Sequence, residues 1–291
     1  LDRDFQLLRF SAIQFTNDRI DAIYGNSDPL EQEPDHRIDG NGQTMIPGLI
    51  DAHGHVLSYG LSLMRVDLVG AESESEAAGR VLDFAQANPA VEWIQGRGWN
   101  QVLWDSNEFP QAASLDAVVS DRPVWLTRVD GHAAWANSLA MEQAGISDDT
   151  ADPVGGQIVR DENGKATGVF IDTAMSYIRE QIPATSFEEE KVALTIALNS
   201  LATYGITSVH DAGIGSSTIA AYKELVSEAP LPVRVYAMIA ASDPLYQDRL
   251  AEGFFHSEDM TLAVESVKVV ADGALGSRGA ALIEDCLLYT S

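Results

Sequence analysis

Two histidines separated by one glycine are the residues of this chain best suited to chemistry. His53-Gly54-His55 follows the apolar run Met45-Ile46-Pro47-Gly48-Leu49-Ile50-Asp51. Because residues i and i+2 of an extended chain point to the same side, both imidazoles can aim at one point. Gly54 leaves the backbone between them uncrowded. Since imidazole binds zinc and its transition-metal neighbours, the spacing favours a metal site at a strand end. The alternative is two polar residues leaving a strand by chance.

Lys268 is the second residue with chemical potential, because it lies within a mostly apolar run at 264–271. A lysine inside such a strand is costly unless it is paired or neutralised. One interpretation is an ion pair with a carboxylate, or an edge position open to water. The other is a metal site, in which a neutral amine reacts with CO2 and the resulting carbamate bridges two divalent cations.

The elements that position these residues alternate between helix and strand from Ser186 onwards. Ser186-Phe187-Glu188-Glu189 has the spacing of a helix capping box. Helices that alternate with strands imply a parallel sheet with right-handed crossovers. If residues 46–51 form the first strand, Lys268 falls on the fourth. The other predicted strands lie at 206–209, 232–239 and 262–271, and the predicted helices at 187–204, 217–227 and 241–253.

Two other regions have a different character. Residues 1–45 predict a small β-layer of short antiparallel strands. Residues 57–185 contain all five tryptophans and predict an inserted α+β lobe. We therefore expect three parts, at 1–45, at 46–56 with 186–291, and at 57–185. Within the lobe we predict helices at 72–88 and 133–144, a strand at 123–129 and a hairpin that turns at Asn163-Gly164.

Composition excludes several classes of partner. The net charge is −26, with 44 acidic against 18 basic residues, which argues against nucleic acid and anionic membrane as partners. The single cysteine, Cys286, rules out an internal disulfide and fits a cytoplasmic protein. No apolar run is long enough for a transmembrane helix, and no secretion leader opens the chain. We expect a small-molecule substrate.

Several motifs together resemble the amidohydrolase superfamily. Residues 47–55 are similar to its first-strand signature. The other motifs resemble the branch that contains the N-substituted formamide deformylases and many metal-dependent hydrolases. These further motifs are Gly98-Trp99-Asn100, Asp130-Gly131-His132-Ala133-Ala134-Trp135-Ala136-Asn137, Gly205-Ile206-Thr207-Ser208-Val209-His210-Asp211-Ala212-Gly213 and Asp272-Gly273-Ala274-Leu275-Gly276-Ser277-Arg278.

The resemblance implies an α/β fold built on a (β/α)8 TIM barrel, with metal at the carboxyl ends of the strands. His53 and His55 match the first-strand ligands, and Lys268 matches the carboxylated lysine of the fourth strand. The implied cofactor is a divalent metal, zinc, as one or two ions. The implied reaction is hydrolysis of a carbon–nitrogen bond in a non-peptide amide by metal-activated water.

The chain departs from the family pattern after Lys268. The family supplies further histidines on strands five and six and an aspartate on strand eight, which is the general base. No histidine follows Lys268, and the general base is expected beyond residue 291. We therefore expect a truncated fragment with about the first four barrel strands and little or no activity. Its open sheet edge predicts self-association.

Three residues are candidates for the substrate side: Trp99, His132 and His210. Trp99 could pack the lobe instead, and His132 could cap a helix or make a structural hydrogen bond. His210 could pair with Asp211. Two other functions remain open. One is a non-catalytic scaffold, and the other is a metal-dependent phosphoesterase, which usually needs more histidine and carboxylate ligands.

Overall fold

The computed structural model of the protein describes residues 9–17, 19–30 and 33–271. The chain divides into two compact units, residues 1–47 and 48–291. Residues 1–8 of the predicted β-layer, the motif at 272–278 and Cys286 lie outside the described residues. The predicted division into β-layer, barrel and lobe stays a prediction.

Among the described residues, the first unit contains two strands, and the other strands and all the helices lie in the second unit. The strands are β1 (Ala12–Thr16), β2 (Arg19–Tyr24), β3 (Leu49–Gly54), β4 (Val66–Asp67), β5 (Ile94–Trp99), β6 (Val124–Arg128), β7 (Ala133–Ala136), β8 (Gly156–Arg160), β9 (Ala166–Asp172), β10 (Ile206–Ile214), β11 (Arg234–Ala240), β12 (Phe255–His256) and β13 (Leu262–Lys268). The helices are α1 (Val56–Leu63), α2 (Glu74–Ala87), α3 (Ala112–Asp116), α4 (Ser138–Gln143), α5 (Ser176–Arg179), α6 (Phe187–Thr203), α7 (Ser216–Glu228) and α8 (Tyr246–Glu252).

In the first unit, β1 and β2 pair antiparallel, as predicted for this region. In the second unit, a five-stranded sheet has the order β12-β13-β11-β10-β3. Its strands β3, β10, β11 and β13 are parallel, and the short β12 runs antiparallel to β13. The predicted α/β character is confirmed. Closure into a barrel stays a proposal.

One face of the five-stranded sheet packs against α1, α6 and α7. Alternate residues of β11 (Val235, Ala237 and Ile239) are buried in this core with side chains from the helices. Helix α6 begins at the predicted capping box, in which Ser186 and Glu189 exchange hydrogen bonds with each other's backbone. The opposite face, with Tyr236 and Met238, is half-exposed.

A six-stranded mixed sheet with the order β4-β5-β6-β7-β9-β8 lies within residues 66–172. Side chains of this sheet pack on both of its faces, in two separate cores, and successive residues of a strand alternate between them. Leu126 and Trp135 pack on the layer that contains α2, whereas Trp125 and Phe170 pack on the layer with α4 and α5. None of the helices in the described part of the chain has the length and apolar character needed to span a bilayer.

The predicted helix at 133–144 is wrong in its first half. Ala133–Ala136 is instead strand β7, which pairs antiparallel with both β6 and β9. All four of its residues are buried, so pairing in the middle of a sheet overrides the helix propensity of alanine. The helix begins only after Asn137, whose side chain accepts a hydrogen bond from the backbone N–H of Ala140.

Four predicted ranges also need correction. The strand predicted at 262–271 ends at Lys268, and the helix predicted at 241–253 is Tyr246–Glu252. The first parallel strand is Leu49–Gly54 rather than 46–51, so His53 lies inside the strand. The second runs from Ile206 to Ile214 rather than ending at 209. Both strands extend through polar residues, because neighbouring parallel strands supply backbone partners there.

Candidate metal centre

His53 and His55 lie side by side where β3 meets α1. Their ring centroids are 5.3 Å apart and the rings are nearly perpendicular, at 77°. Both side chains are exposed. At this separation one nitrogen of each ring can approach a common ion, for which Zn–N distances are about 2.0–2.1 Å. The structure therefore places the two predicted imidazole ligands together.

Two glycines allow β3 to approach β10 closely. A methyl group added at Gly54 would lie 2.7 Å from Val209 Cγ2, and one added at Gly48 would lie 2.1 Å from Thr207 Cγ2. Such distances are much shorter than ordinary van der Waals contact. Glycine at both positions thus lets the histidine-bearing strand join the sheet.

Asp211 holds the backbone immediately after His55. Its carboxylate accepts hydrogen bonds from the Val56 N–H at 3.1 Å and from the Tyr222 hydroxyl at 2.8 Å. Asp211 is 1% exposed, and burial raises the pKa of its carboxyl group, although both hydrogen bonds oppose the rise. The contact fixes the first turn of α1 and with it the position of His55.

His210 points to the opposite face of β10 from Asp211, since successive strand residues alternate. Its ring lies against Tyr236, with centroids 5.0 Å apart, on the half-exposed face of the sheet. The expected alternative of a hydrogen bond between His210 and Asp211 is wrong, because the carboxylate of Asp211 bonds Val56 and Tyr222 instead.

Lys268 is the last residue of β13 and is half-buried. A methyl group added at Gly213 of β10 would lie only 3.2 Å from Lys268 Cγ. The strand β11 lies between β10 and β13, and two strand spacings in a flat sheet are about 9–10 Å. The lysine side chain therefore extends across the end of β11 towards β10, the neighbour of β3.

The alternatives for Lys268 can be tested against these contacts. Among the described residues, no carboxylate forms a salt bridge with its amine. At Lys268 the strand pairs with Ala240 of β11 on one side, whereas β12 covers its other side only at residues 263 and 264. Its backbone carbonyl accepts a hydrogen bond from the Ala241 N–H at 3.0 Å. Lys268 is thus half-buried at the carboxyl end of the parallel strands.

The donor set fits a divalent metal in part. Two imidazoles are half of the four ligands that zinc usually takes. Within residues 9–17, 19–30 and 33–271, no cluster of three or more histidine, cysteine, aspartate or glutamate side chains is present. Lys268, as its carbamate, is the further ligand that the family resemblance implies among the described residues.

The two remaining candidates lie in the six-stranded sheet. Trp99 is fully buried, and its indole N–H donates to the Leu126 carbonyl at 2.7 Å. This burial fits the packing interpretation of Trp99. His132 is 77% exposed, and its Nδ1 lies 2.8 Å from Asp172 Oδ1. That contact raises the pKa of His132, mainly through the hydrogen bond to Asp172. The partner Asp172 has a backbone φ of 49° and ψ of −118°, which is unusual for a residue other than glycine.

The chain belongs to the amidohydrolase family, because the model described as "Amidohydrolase family" matches residues 37–288. The chain is 36% identical over 256 residues to Protein LONG AFTER FAR-RED 3 of Arabidopsis thaliana, covering 84% of this chain and 43% of that protein. It is 26% identical over 204 residues to the N-substituted formamide deformylase of Arthrobacter pascens, covering 67% of this chain and 37% of that protein.

A solved structure shows the same fold. The crystal structure of an uncharacterized metal-dependent hydrolase from Pyrococcus horikoshii OT3 matches with a TM-score of 0.60 and 27% identity, over 80% of this chain and 44% of that one. The chain thus spans about half the length, or less, of the proteins named here. The predicted resemblance to the amidohydrolases is confirmed. The chain is a member of a family of metal-dependent hydrolases, which implies a divalent metal.

Proposed function

We propose that this chain carries part of the metal centre of an amidohydrolase that hydrolyses a carbon–nitrogen bond in a non-peptide amide. The observation that supports this most strongly is the pair of imidazoles, 5.3 Å apart at the carboxyl end of the first parallel strand. His53 and His55 would bind the ion directly. Lys268 of β13, as its carbamate, would provide an anionic oxygen ligand.

A divalent metal such as zinc, when bound, supplies a nucleophile at neutral pH by lowering the pKa of water, and it polarises the substrate carbonyl. The residues of this chain provide the binding and orientation. Asp211 holds the Val56 N–H and thereby fixes the backbone of His55. His210 and Tyr236 stand on the half-exposed face of the sheet, where they could contact a substrate.

The type of bond is inferred from the family and from the similarity to an N-substituted formamide deformylase. A general base is still needed to move a proton to the leaving amine. Among the described residues, no carboxylate clusters with the two imidazoles. We therefore expect the 291-residue chain alone to turn over an amide slowly or not at all.

Binding of Co²⁺ and Zn²⁺ to the purified chain tests the proposal. The wild-type chain should bind Co²⁺ and show a visible absorption band. The band should disappear when Zn²⁺ displaces the Co²⁺. His53→Ala and His55→Ala should each weaken binding at least about tenfold, because each removes a direct ligand. His36→Ala is the matched control, since His36 is exposed and lies elsewhere in the chain. Equal binding by all four proteins would contradict the proposal.

Carbamylation of Lys268 needs a separate measurement. After equilibration with ¹³C-bicarbonate and Zn²⁺, the chain should give a carbamate ¹³C signal that Lys268→Arg abolishes. Lys223→Arg serves as the control, because the Lys223 amine lies over the Phe255 ring, 4.6 Å from its centroid. A signal that survives in Lys268→Arg would assign the carbamate elsewhere.

The two alternative functions, a metal-dependent phosphoesterase and a non-catalytic scaffold, differ from an amidohydrolase in the metal binding that they require. A phosphoesterase would need more ligands than the two described imidazoles, and no larger cluster is seen in the described ranges. A non-catalytic scaffold would bind no Co²⁺ at the histidine pair. The metal titration therefore distinguishes an amidohydrolase centre from a scaffold before any substrate is known.

A further inference from the structure

A cleft of about 570 Å³ lies in the second unit, and neither His53 nor His55 lines it. Three arginines line it: Arg65, Arg97 and Arg179. None of the twelve residues that line this arginine cleft is acidic. In a chain with 44 acidic and 18 basic residues, three cations without an intervening acid form an unusual local charge.

The floor of the arginine cleft is one face of two neighbouring strands. Residues of β5 and β6 pair across the strands as Gln95 with Trp125 and Arg97 with Thr127. All four residues line the cleft. Because strand residues i and i+2 share a face, this part of the sheet presents a guanidinium, an amide and a hydroxyl side by side.

The walls are formed where the chain passes between the two sheets. Arg65 lies between α1 and β4, on the way from the five-stranded to the six-stranded sheet. Arg179 ends α5, and residues 182–185 lead back into α6. Both connections therefore border the cleft, and a bound ligand would contact each of them.

The three arginines of the cleft have no carboxylate partner among the described residues, unlike most of the other described arginines. Arg97 donates to the Val129 carbonyl at 3.2 Å, which leaves most of its N–H groups free for a ligand. Within the described part of the chain, no aspartate or glutamate forms a salt bridge with any of the three. Of the nine other described arginines, six have such a partner: Arg37, Arg80, Arg122, Arg128, Arg160 and Arg249.

The partial burial of Arg65 favours the binding of an anion in the arginine cleft. It is half-buried, and burial lowers the pKa of its guanidinium with no opposing carboxylate. Guanidinium groups stay charged in proteins, and a partly buried charge is costly unless it is paired. An external oxyanion would supply the missing partner, because the guanidinium fork matches carboxylate and phosphate oxygens.

We propose that the arginine cleft binds the oxyanion group, a carboxylate or a phosphate, of a small molecule. The ligand would bridge Arg65 and Arg97 above the Gln95–Thr127 floor, with Arg179 closing one side. Neither His53 nor His55 lines this site, and the proposal does not rest on the proposed hydrolase function.

Isothermal titration calorimetry of the purified chain with sodium phosphate and with sodium succinate tests the proposal at constant ionic strength. At least one of the two should bind with a 1:1 stoichiometry. Arg65→Gln and Arg97→Gln should each weaken that binding about tenfold or more, because each removes a charged hydrogen-bond donor. Arg97→Lys should fall between wild type and Arg97→Gln, since it keeps the charge and loses the fork.

Arg37→Gln is the matched control, because it removes one positive charge from an exposed surface pair. It should bind like wild type. Binding of phosphate alone, succinate alone or both would support the proposal and identify the source of the oxyanion. A melting-temperature increase with the binding anion, absent in Arg97→Gln, checks the result in variants that remain folded. No binding of either anion, or equal loss in Arg37→Gln, would overturn it.

Discussion

Asp211 shows what a single residue contributes to the candidate site without touching a ligand. Its partner atoms, the Val56 N–H and the Tyr222 hydroxyl, come from α1 and α7. One carboxylate therefore ties two helices to β10. Strand alternation contained the signal for this role, because Asp211 and the apolar Val209 share one face of the strand. The partners could not be predicted, since they lie 155 and 11 residues away.

Removing this carboxylate should destabilise the fold and disturb the histidine pair. Asp211→Ala leaves two buried donors without an acceptor, at a cost of about 1–3 kcal/mol each. Tyr222→Phe should cost less, because the carboxylate keeps its bond to Val56. Urea unfolding measures both changes. Asp83→Ala, at an exposed helix position, should leave stability nearly unchanged. Equal midpoints for Asp211→Ala and Asp83→Ala would contradict this role.

His132 offers a residue-scale test of electrostatics in the second sheet. Asp172 raises the pKa of His132 through a hydrogen bond and its charge, and Asp130 adds a smaller contribution. Because folding raises this pKa, the pair stabilises the fold below the ordinary histidine value and loses that contribution as pH rises through the folded value. NMR titration of the ring protons should show the raised pKa.

The matched variants differ in which carboxylate they remove. Asp172→Asn should lower the pKa of His132 more than Asp130→Asn does, because only Asp172 bonds the ring. A larger fall in Asp130→Asn would show that the hydrogen bond is not the dominant cause.

At the scale of elements, local sequence signals predicted a helix correctly where the hydrogen bonds are made within the segment itself. They failed where pairing with distant strands determines the structure. The capping box at Ser186 and Glu189 predicted the start of α6, which is confirmed. Ala133–Ala136 has helix-forming residues, yet its neighbours in sequence and space make it a central strand. Asn137 was the overlooked signal, since it is buried and caps α4.

The packing of β3 on β10 gives a prediction at this scale. In Gly54→Ala the new methyl would meet Val209, which is itself buried and cannot withdraw. Overpacking of this kind costs about 1–3 kcal/mol. Moving β3 would also displace His53 and His55, so Co²⁺ binding should weaken. Gly79→Ala is the control, because nothing lies near that position in α2, and it should stabilise the chain by about 0.5–1 kcal/mol. Unchanged stability in Gly54→Ala would refute the close approach.

At the scale of the whole molecule, the order of the parallel strands could be predicted from the sequence. The set of metal ligands could be predicted only in part. Alternating helices and strands predicted a parallel sheet, and in the structure His53 and Lys268 lie at the carboxyl ends of two of its parallel strands, with His55 just after the first. The separation of the lysine amine from the imidazoles depends on how the sheet curves. The arginine cleft was missed because Arg65, Arg97 and Arg179 are far apart in sequence and meet only through the crossing of the chain.

The exposed edge of the five-stranded sheet predicts self-association. Among the described residues, β3 pairs only with β10, and its residues Leu49 and Ile50 are 54% and 63% exposed. An unpaired strand with apolar side chains is a template for a second chain. The net charge of −26 per chain opposes such contact, and salt screens that repulsion. We therefore expect light scattering to show a dimer whose fraction rises with protein and salt concentration.

A charge placed on this edge strand should prevent the dimer. Ile50→Lys adds a cation beside the unpaired strand, which is how natural edge strands avoid pairing. Ile38→Lys makes the same change at a residue that is 96% exposed and outside the sheet, so it should dimerise like wild type. Both variants raise the net charge equally, which separates an edge effect from general repulsion. If wild type stays monomeric at every salt concentration, or if both variants lose the dimer equally, β3 is not the surface that pairs.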